Sequence, residues 1–595
     1  MHKIPRHLVI TADEETWKQN RPILFSGEWC LLYNRQHIWK NIDGLLAVPY
    51  GLGQNQKNID HDETRKLREK LFPKFYKLLN EHHLLQYDQR QWMILLGHWF
   101  QRTVEVIFNR VRTLENCVKE YNVCSISDNG LSGNLLVTEN SHASILSFNS
   151  DQWNHALALR LIKILEIRGI QIEPRIKVCL RPSNSGFKNK SPIGKKRLNN
   201  QAFKTVLNNI AVILRKIGVE SKVFIINSYL PPFEAIKLQV ALGQWPVFWQ
   251  NNELKIVAKP DLSVRTSLNR KIFEETEDNV EKAITSLIFD LLPICYLEGF
   301  DELKNKINLL PWPVSPKCIF TSNNFDTDEI FKLWVCTKIK TGSKYVVGQH
   351  GNYGVSRNHL QPSIEEITSD KFITWGWTDG LPQHSPAFLF KIAGQRRRVY
   401  DCRGGLLLIQ LNNPHRITTW NNTNEFSKYF EDQKLFVGRL SEKPRSQLTI
   451  RLHSGYKISD WAEDLRWHDF DPSIRLDYGL INVKNLIQKS RLVVHSYDST
   501  GILETLAQNI PTLAFWQNGL DHLRDSAKPF YEKLLDAEVL HLTAESVAKK
   551  VNSIWENIDE WWQQNKVQDA RKIFCERYAR ESKNPTTDLV RLLQE

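Results

Sequence analysis

The sequence predicts an α/β protein of two facing domains, each built on a mostly parallel β-sheet. Short apolar, β-branched runs alternate with stretches of helical periodicity along most of the chain, as parallel sheets require. Two of these runs, at residues 345–348 and 492–494, lead into polar turns rich in Gly or Ser. Such turns at the carboxyl ends of parallel strands are common ligand sites. The chain of 595 residues also exceeds the size at which a single core stops growing.

The first 380 residues are expected to form an amino-terminal domain with helical insertions. Its strands are predicted at residues 7–11, 23–25, 135–138, 223–227, 318–321, 345–348 and 372–374. Helical periodicity is clearest over residues 65–112, which should contain more than one helix, and over residues 153–168. Residues 181–200 are rich in Ser, Asn, Lys and Pro and are predicted to be a surface loop.

The rest of the chain is expected to form a linker, a smaller domain and a tail. Residues 381–404 are rich in Pro, Gly and Arg and are predicted to be the linker. In the domain at 405–570, strands are predicted at residues 405–411, 448–452, 492–494 and 512–515. Residues 571–595 continue a helical pattern and are predicted to be a helical tail.

The segment at residues 491–516 predicts a strand, a polar turn, a helix and a second strand. The hydroxyls of Ser496, Ser499 and Thr500 are expected at the helix amino terminus, where free N–H groups favour a phosphate. Glu504, one turn into the helix, is a candidate acceptor for ribose hydroxyls. In the alternative interpretation Ser499 or Thr500 simply caps the helix and Glu504 complements its dipole.

The turn at residues 348–354 (GQHGNYG) is the second candidate ligand site. His350 follows an apolar strand, and its imidazole is suited to protonating or hydrogen-bonding a phosphate oxygen, with Gln349 and Gly351 beside it. The alternative is a histidine that fixes a glycine turn. On another strand, Arg451 and His453 point to the same side. Arg451 suits a donor phosphate, although it is equally suited to pairing with a carboxylate such as Asp464.

Acidic side chains after the first two strands are candidates for acid–base chemistry. Glu28 follows the predicted strand 23–25 in a loop where Gly27 allows close backbone approach, and Asp13 follows the predicted strand 7–11. Both positions are also ordinary sites for loop and helix-capping residues.

The order of these motifs resembles putative surface-polysaccharide transferases of O-antigen clusters. The matching segments are LVITA at 8–12, RPILFSGEW at 21–29, FNSDQWN at 148–154, GQHGNYG at 348–354, ITWGW at 373–377, IRLH at 450–453 and SYDSTGILETLAQNIPT at 496–512. The carboxyl half is more distantly similar to capsule Kdo transferases and CDP-glycerol phosphotransferases. The resemblance implies a GT-B fold of two facing Rossmann-like domains, with a carboxyl-terminal tail that returns to the first domain. The Gly27-Glu28 element loosely resembles the one that carries the base in lipid A Kdo transferases.

The function that this resemblance implies is glycosyl transfer in bacterial surface-polysaccharide assembly. We expect an acidic sugar, Kdo or a nonulosonate, to move from a CMP donor to a glycan or lipid-linked acceptor. One alternative is a CDP-glycerol-type phosphotransferase. Another is a non-catalytic protein of the same fold that binds glycan or nucleic acid, because a fold does not establish activity. No cofactor is expected beyond the nucleotide-sugar co-substrate.

Composition constrains partners and compartment. The formal net charge of +13 predicts affinity for anions, and the absence of a nucleic-acid motif favours a membrane surface or an anionic glycan over nucleic acid. No apolar run reaches the length that spans a bilayer, and nine scattered cysteines without a Cys-x-x-Cys pair indicate neither a disulfide framework nor a zinc site. No Asp-x-Asp motif stands in a strand-end context, so transfer is expected to be metal-independent. We expect a cytoplasmic protein, with the inner face of the membrane as the surface that its charge would favour.

Overall fold

The computed structural model describes residues 4–128, 130, 133–174, 210, 213, 221–248, 254, 256–308, 310, 312–352, 362–413, 426–517 and 519–595. Within these residues the chain forms three β-sheets, and all recorded strand pairings are parallel. The predicted α/β class is therefore confirmed, with several Rossmann-like sheets. The predicted loop at 181–200 lies outside the described residues.

The first sheet has the strand order β3-β2-β1-β4-β5. Its strands are β1 (Arg6–Val9), β2 (Ile23–Phe25), β3 (Gly44–Leu46), β4 (Val123–Ser127) and β5 (Gln171–Glu173). The strand predicted at residues 135–138 is wrong, because this segment begins within a 3₁₀-helix, Gly133–Leu136. The apolar run packs below a helix instead of joining a sheet, and the Trp153 indole donates to the Leu136 carbonyl at 3.2 Å.

The second sheet has the order β10-β9-β8-β7-β6. Its strands are β6 (Val223–Ile225), β7 (Cys318–Thr321), β8 (Lys344–Gly348), β9 (Lys371–Thr374) and β10 (His384–Pro386). The strands expected in one amino-terminal sheet are thus divided between two. Residues 381–404, expected to be a linker, begin with the edge strand of this sheet, since β10 pairs with β9.

The third sheet has the order β13-β12-β11-β14-β15-β16. Its strands are β11 (Gly405–Ile409), β12 (Leu448–Arg451), β13 (Arg475–Asp477), β14 (Ser490–His495), β15 (Thr512–Phe515) and β16 (Leu540–His541). The helix Thr500–Ala507 connects β14 to β15, which confirms the predicted βαβ unit.

Helices surround all three sheets. The α-helices are Gln36–Trp39, Gln54–His83, Gln89–Glu120, Ser141–Ser147, Asp151–Ile164, Pro232–Ala241, Leu262–Ile272, Asn279–Leu291, Phe300–Asn308, Glu329–Ile339, Ile364–Thr368, Phe426–Arg439, Glu442–Ser446, Glu463–Phe470, Val483–Gln488, Thr500–Ala507, Lys528–Asp536, Ala544–Ile554, Ile558–Gln563, Asn565–Tyr578 and Pro585–Gln594. The 3₁₀-helices are Glu14–Thr16, Glu28–Cys30, Tyr33–Arg35, Gly133–Leu136, Ile294–Tyr296, Phe390–Ile392, Tyr456–Ile458 and Trp555–Asn557. The periodic stretch 65–112 contains parts of two helices, as predicted.

The carboxyl-terminal tail returns to the second sheet. The Arg580 N–H donates to the Trp375 carbonyl at 3.1 Å, and the Leu389 N–H donates to the Arg580 carbonyl at 2.8 Å. Further along, the Lys371 ammonium donates to the Leu592 carbonyl at 2.7 Å. The tail therefore fixes the second sheet relative to the third, as the predicted return of the tail requires.

A buried ion cluster also joins the second and third sheets. Arg524, which follows β15, donates to both carboxylate oxygens of Glu366 at 3.0 and 3.4 Å and to Asp379 at 2.9 Å. Its guanidinium lies 4.6 Å from the centre of the buried Trp377 ring. Trp375 is also fully buried. Both tryptophans follow β9 directly, and their burial shows that they serve packing.

Candidate active site

The turn after β8 meets the turn after β14 in the cleft between the second and third sheets. The Asn352 N–H donates to Thr500 Oγ1 at 3.1 Å, and Asn352 Nδ2 donates to Asp498 Oδ1 at 2.6 Å. Tyr531 donates to the same Asp498 oxygen at 3.1 Å, and His522 Nε2 lies 3.2 Å from the other. The two motifs that the sequence singles out therefore lie in direct contact.

His350 is held at the end of β8 by two partners. Its Nδ1 lies 3.1 Å from the Ser322 carbonyl and its Nε2 lies 3.1 Å from the Tyr229 hydroxyl. Burial lowers the pKa of His350, so the imidazole is neutral at pH 7. Because a carbonyl only accepts, we assign the proton to Nδ1 and the lone pair to Nε2, which accepts from Tyr229.

Three cations of this cleft, Lys391, Arg398 and Lys484, are close enough to Glu504 for its charge to act on them. The Lys391 ammonium lies 5.1 Å from the centre of the Tyr229 ring. The Arg398 N–H donates to the Gln508 side chain at 2.9 Å, directly after the helix that carries Glu504, and Lys484 lies on the helix Val483–Gln488.

The electrostatics show that these groups act on one another. Burial lowers the pKa of Lys391, Arg398 and Lys484, whereas the Glu504 carboxylate raises it in each case. Lys391 and Arg398 also lower the pKa of Lys484. In the described parts of the chain, none of the three forms an ion pair with a carboxylate. These three cations outnumber the two carboxylates of the cleft, Glu504 and Asp498, which makes it a site for an anion.

Two of the predicted donor-binding hydroxyls form hydrogen bonds within the third sheet and its helices instead of facing the cleft. Ser496 donates to the Ile409 carbonyl at 2.9 Å and lies 2.6 Å from the Tyr429 hydroxyl. Ser499 precedes the helix but makes no capping bond, and its hydroxyl lies 3.5 Å from His495 Nδ1. Both serines are buried.

Gln349 joins β8 to β9 instead of facing the cleft. Its Oε1 accepts from the Trp375 N–H at 2.8 Å and from the Trp377 indole at 2.9 Å, and its Nε2 donates to the Gly351 carbonyl at 3.0 Å. Gln349 and Gly351 therefore shape the turn that carries His350. Gly354 lies outside the described residues.

Arg451 is fixed at the edge of the third sheet. Its Nε lies 3.6 Å from Asp477, and its terminal nitrogens donate to the carbonyls of Leu452 and Ile481. The carboxylate partner is thus Asp477 and not Asp464, which accepts from Tyr456. His453 is exposed, and its Nδ1 accepts from the Gly455 N–H at 3.0 Å.

The two predicted acidic residues lie on the first sheet. The Glu28 carboxylate accepts from the Ser427 hydroxyl and from the Ser427 N–H at 3.3 Å, in the first turn of the helix Phe426–Arg439. It therefore connects the loop after β2 of the first sheet to a helix that precedes β12 of the third sheet. Asp13 accepts from the Glu15 N–H at 3.3 Å and caps a short 3₁₀-helix.

Several residues of the cleft were not predicted from sequence. They are Tyr229, Lys391, Arg398, Lys484, Asp498 and His522. The sequence did contain one indication of these cations, namely the basic residues of the predicted linker. A linker between two domains lies next to the cleft between them, so its cations lie there too.

Two absences hold for the described residues only. No group of three or more His, Cys, Asp or Glu side chains there is arranged to hold a metal ion. No helix there is both long and apolar enough to cross a membrane.

The chain matches a family model over almost its whole length. The model describes the LIC12162 family transferase and matches residues 6–593. The chain belongs to the LIC12162 family of transferases. No curated protein matches this transferase.

Solved structures resemble this transferase only distantly. A variant of the wall teichoic acid polymerase TagF is 12% identical, covers 67% of this chain and 97% of its own, and has a TM-score of 0.34. MurG from Acinetobacter baumannii is 10% identical, covers 62% and 98%, and has a TM-score of 0.30. A putative UDP-N-acetylglucosamine 2-epimerase from Listeria monocytogenes is 14% identical, covers 59% and 94%, and has a TM-score of 0.32. Similarity at this level does not establish a shared fold or function.

Proposed function

We propose that this LIC12162-family transferase is a GT-B glycosyltransferase that binds a nucleotide-activated sugar between its second and third sheets. The observation that carries this proposal is the contact of Asn352 with Thr500 and Asp498, because it brings the His350 turn and the Glu504 helix into one cleft. Parallel sheets bind ligands at this edge.

The cation cluster supports an anionic donor. Lys391, Arg398 and Lys484 outnumber Glu504 and Asp498, and they are partly removed from water, where an anion is held more strongly. A CMP-linked acidic sugar carries one charge on its phosphodiester and one on its carboxylate. We therefore keep Kdo or a nonulosonate as the proposed sugar, and a glycan or lipid-linked acceptor as the second substrate.

His350 is proposed as the general base. A neutral imidazole accepts a proton, whereas protonating a departing phosphate would require the imidazolium, which burial disfavours here. The Tyr229 hydroxyl, bonded to Nε2, holds the ring in position next to Lys391. The proton would reach His350 through Tyr229: the Tyr229 oxygen takes the proton of the acceptor hydroxyl and its own proton moves to Nε2, while the acceptor oxygen bonds to the sugar and the bond from the sugar to the nucleotide phosphate breaks.

The net charge supports a location at an anionic membrane surface. The excess of 13 positive charges favours such a surface, and also favours an acidic glycan acceptor. We propose a cytoplasmic protein at the inner face of the membrane and no nucleic-acid partner.

A thermal-shift titration with CMP, CDP, UDP, GDP and ADP tests the donor site, because a ligand that binds the native state raises its melting temperature. We expect CMP to stabilise the protein, and Lys391→Met or Lys484→Met to weaken CMP binding about tenfold or more, as the loss of a charged hydrogen bond predicts. Lys489→Met is the matched control, because Lys489 is exposed next to the helix that carries Lys484.

The contrary results are distinct. A response to UDP or GDP alone would retain the glycosyltransferase and replace the CMP donor. No response to any nucleotide, or equal CMP affinity in all three lysine variants, would contradict the proposed donor site. Product mass then separates the two reactions when a CMP-sugar and CDP-glycerol are supplied in turn: the first adds a sugar to the acceptor, the second adds a glycerol phosphate, and each releases CMP.

A further inference from the structure

Buried polar atoms without partners cluster at the carboxyl end of β11. They belong to Gln410, Asn413, Gln433 and Glu463, whose side chains are 4%, 1%, 1% and 5% exposed. Within the described residues, no hydrogen-bond partner exists for Gln410 Nε2, Asn413 Nδ2, Asn413 Oδ1, Gln433 Oε1 or Glu463 Oε2. Each such group costs about 1–3 kcal/mol, so a concentration of them calls for a physical cause.

Contacts with Tyr429 and Trp467 bring the four residues together. The Leu411 N–H donates to the Tyr429 hydroxyl at 2.9 Å, so the segment after β11, which carries Gln410 and Asn413 on either side of Leu411, runs past Tyr429. Gln433 follows Tyr429 by one turn on the same helix face. The Trp467 indole donates to Gln410 Oε1 at 3.0 Å.

Glu463 and the two helices complete this arrangement. Glu463 precedes Trp467 by one turn on the same helix face, and its charge acts on Tyr429. The rings of Phe430 and Trp467 lie 5.0 Å apart and pack the two helices against each other.

The cluster adjoins the proposed donor site. Tyr429 lies 2.6 Å from Ser496, which begins the turn leading to Thr500 and Glu504. β11 pairs with β14, with Ile409 opposite His495, so the turns after these strands are neighbours. The cluster therefore belongs to the same sheet as the turn that leads to Thr500 and Glu504. A nucleotide whose phosphate lies at the three cations would have the cluster beside that turn.

We infer that Gln410, Asn413, Gln433 and Glu463 form the recognition site for the nucleobase of the donor, an inference that rests on the proposed function. Amide side chains offer a donor and an acceptor side by side, which matches the hydrogen-bonding edge of a base. Aromatic side chains flank the cluster, including Phe426 and Trp461, whose rings are parallel with centroids 4.4 Å apart. A planar ring with both donor and acceptor atoms is the ligand that these groups jointly select.

Apolar variants of similar size test this inference. Asn413→Leu removes only unpartnered side-chain atoms, so it should not lower the melting temperature of the free protein. Gln410→Leu also removes the acceptor of the Trp467 indole and should lower the melting temperature moderately. Each should reduce the preference for the favoured base about tenfold or more, measured by calorimetry with CMP, UMP, GMP, AMP and their diphosphates. Binding of inorganic pyrophosphate should not change.

Gln244→Leu is the matched control. Gln244 is an equally buried amide, but it bonds the Ile225 N–H, the Ile225 carbonyl and Gln239. This variant should lower the melting temperature and leave the base preference unchanged.

Three results would overturn the inference. One is a wild-type protein that binds all bases equally, and another is an unchanged preference in both leucine variants. The third is a lowered melting temperature in both variants with unchanged nucleotide binding, which would identify groups that bond buried water. A wild-type protein that binds no nucleotide would instead contradict the proposed function itself.

Discussion

Asn352 Nδ2 donates to Asp498 Oδ1 at 2.6 Å and connects the ends of two strands that lie in different sheets. Asp498 also accepts from Tyr531 and lies within hydrogen-bond distance of His522. Its carboxylate therefore bonds groups on both sides of the cleft. Asp498 therefore helps to fix the position of the His350 turn relative to the Thr500 helix, together with the bond from the Asn352 backbone N–H to Thr500.

A double-mutant cycle measures that contribution. Asn352→Ala and Asp498→Ala should each destabilise the protein, and their coupling energy should be about 1.5–3 kcal/mol, as expected for a hydrogen bond to a charged group. Chemical unfolding of the two single variants and the double variant supplies the value. Additive effects within about 0.5 kcal/mol would show that the contact does not join the two turns.

Substitution of Arg524 should lower the free energy of unfolding more than substitution of any charged residue on the surface. Arg524→Met removes the arginine that pairs with the buried Glu366, whereas Asp379 keeps Arg577 at 3.7 Å, and breaking a buried ion pair by removing one partner costs about 3–5 kcal/mol. The midpoint of chemical unfolding should fall accordingly. Glu366→Gln in the Arg524→Met background should recover part of the loss, since it removes one uncompensated charge. A double variant no more stable than Arg524→Met would contradict this explanation.

His495 should make the protein sensitive to acid. Burial lowers the pKa of His495 to about 3, and its ring lies 3.3 Å from the Thr505 hydroxyl. The unfolded chain binds a proton near the ordinary pKa of about 6.5, whereas the folded chain does not. The contribution of neutral His495 to the free energy of unfolding is therefore fully present above pH 6.5 and is lost as the pH falls towards 3. The loss is about 1.4 kcal/mol per pH unit.

The variant His495→Gln should remove this pH-dependent part of the free energy of unfolding. Its destabilisation relative to the wild type should be largest at pH 7 and should shrink by about 2 kcal/mol by pH 5, measured by urea unfolding across that range. His142→Gln is the control, because His142 is exposed. A variant whose unfolding free energy parallels that of the wild type at every pH would exclude His495 as the source.

The fold could be predicted where hydrophobic runs are pure and end at a strong signal. Residues 492–515 gave the βαβ unit because Leu492, Val493 and Val494 are buried and Pro511 ends the helical segment. The edge strands Gln171–Glu173 and Arg475–Asp477 were missed, since their polar, partly exposed side chains carry no apolar alternation. The division of the first 380 residues into two sheets depends on long-range pairing, which local pattern does not encode.

The candidate site was predictable only in part for a related reason. His350 and Thr500 follow apolar strands, so their position at a ligand-binding edge follows from topology. In the sequence, Lys391 and Arg398 look like the basic residues of any solvated linker. They become a site only because the fold brings them and Lys484 close enough to Glu504 for its charge to act on all three.

Glu28 has two possible roles, and one pair of variants separates them. In this structure its carboxylate accepts from the backbone and hydroxyl of Ser427 and so caps the helix Phe426–Arg439 from another domain. Glu28→Gln and Ser427→Ala should therefore have similar effects, each lowering stability by about 0.5–2 kcal/mol. Turnover should fall by a similar, small factor in both, because both loosen the same domain contact.

A catalytic base would behave differently. Loss of a general base reduces turnover by about 10²–10⁴-fold, and the effect does not depend on the capped helix. If Glu28→Gln abolished turnover while Ser427→Ala remained active with the same loss of stability, Glu28 would be the base and His350 would lose that role. Equal effects would leave the chemistry to His350, because the contact with Ser427 then accounts for everything that Glu28 contributes.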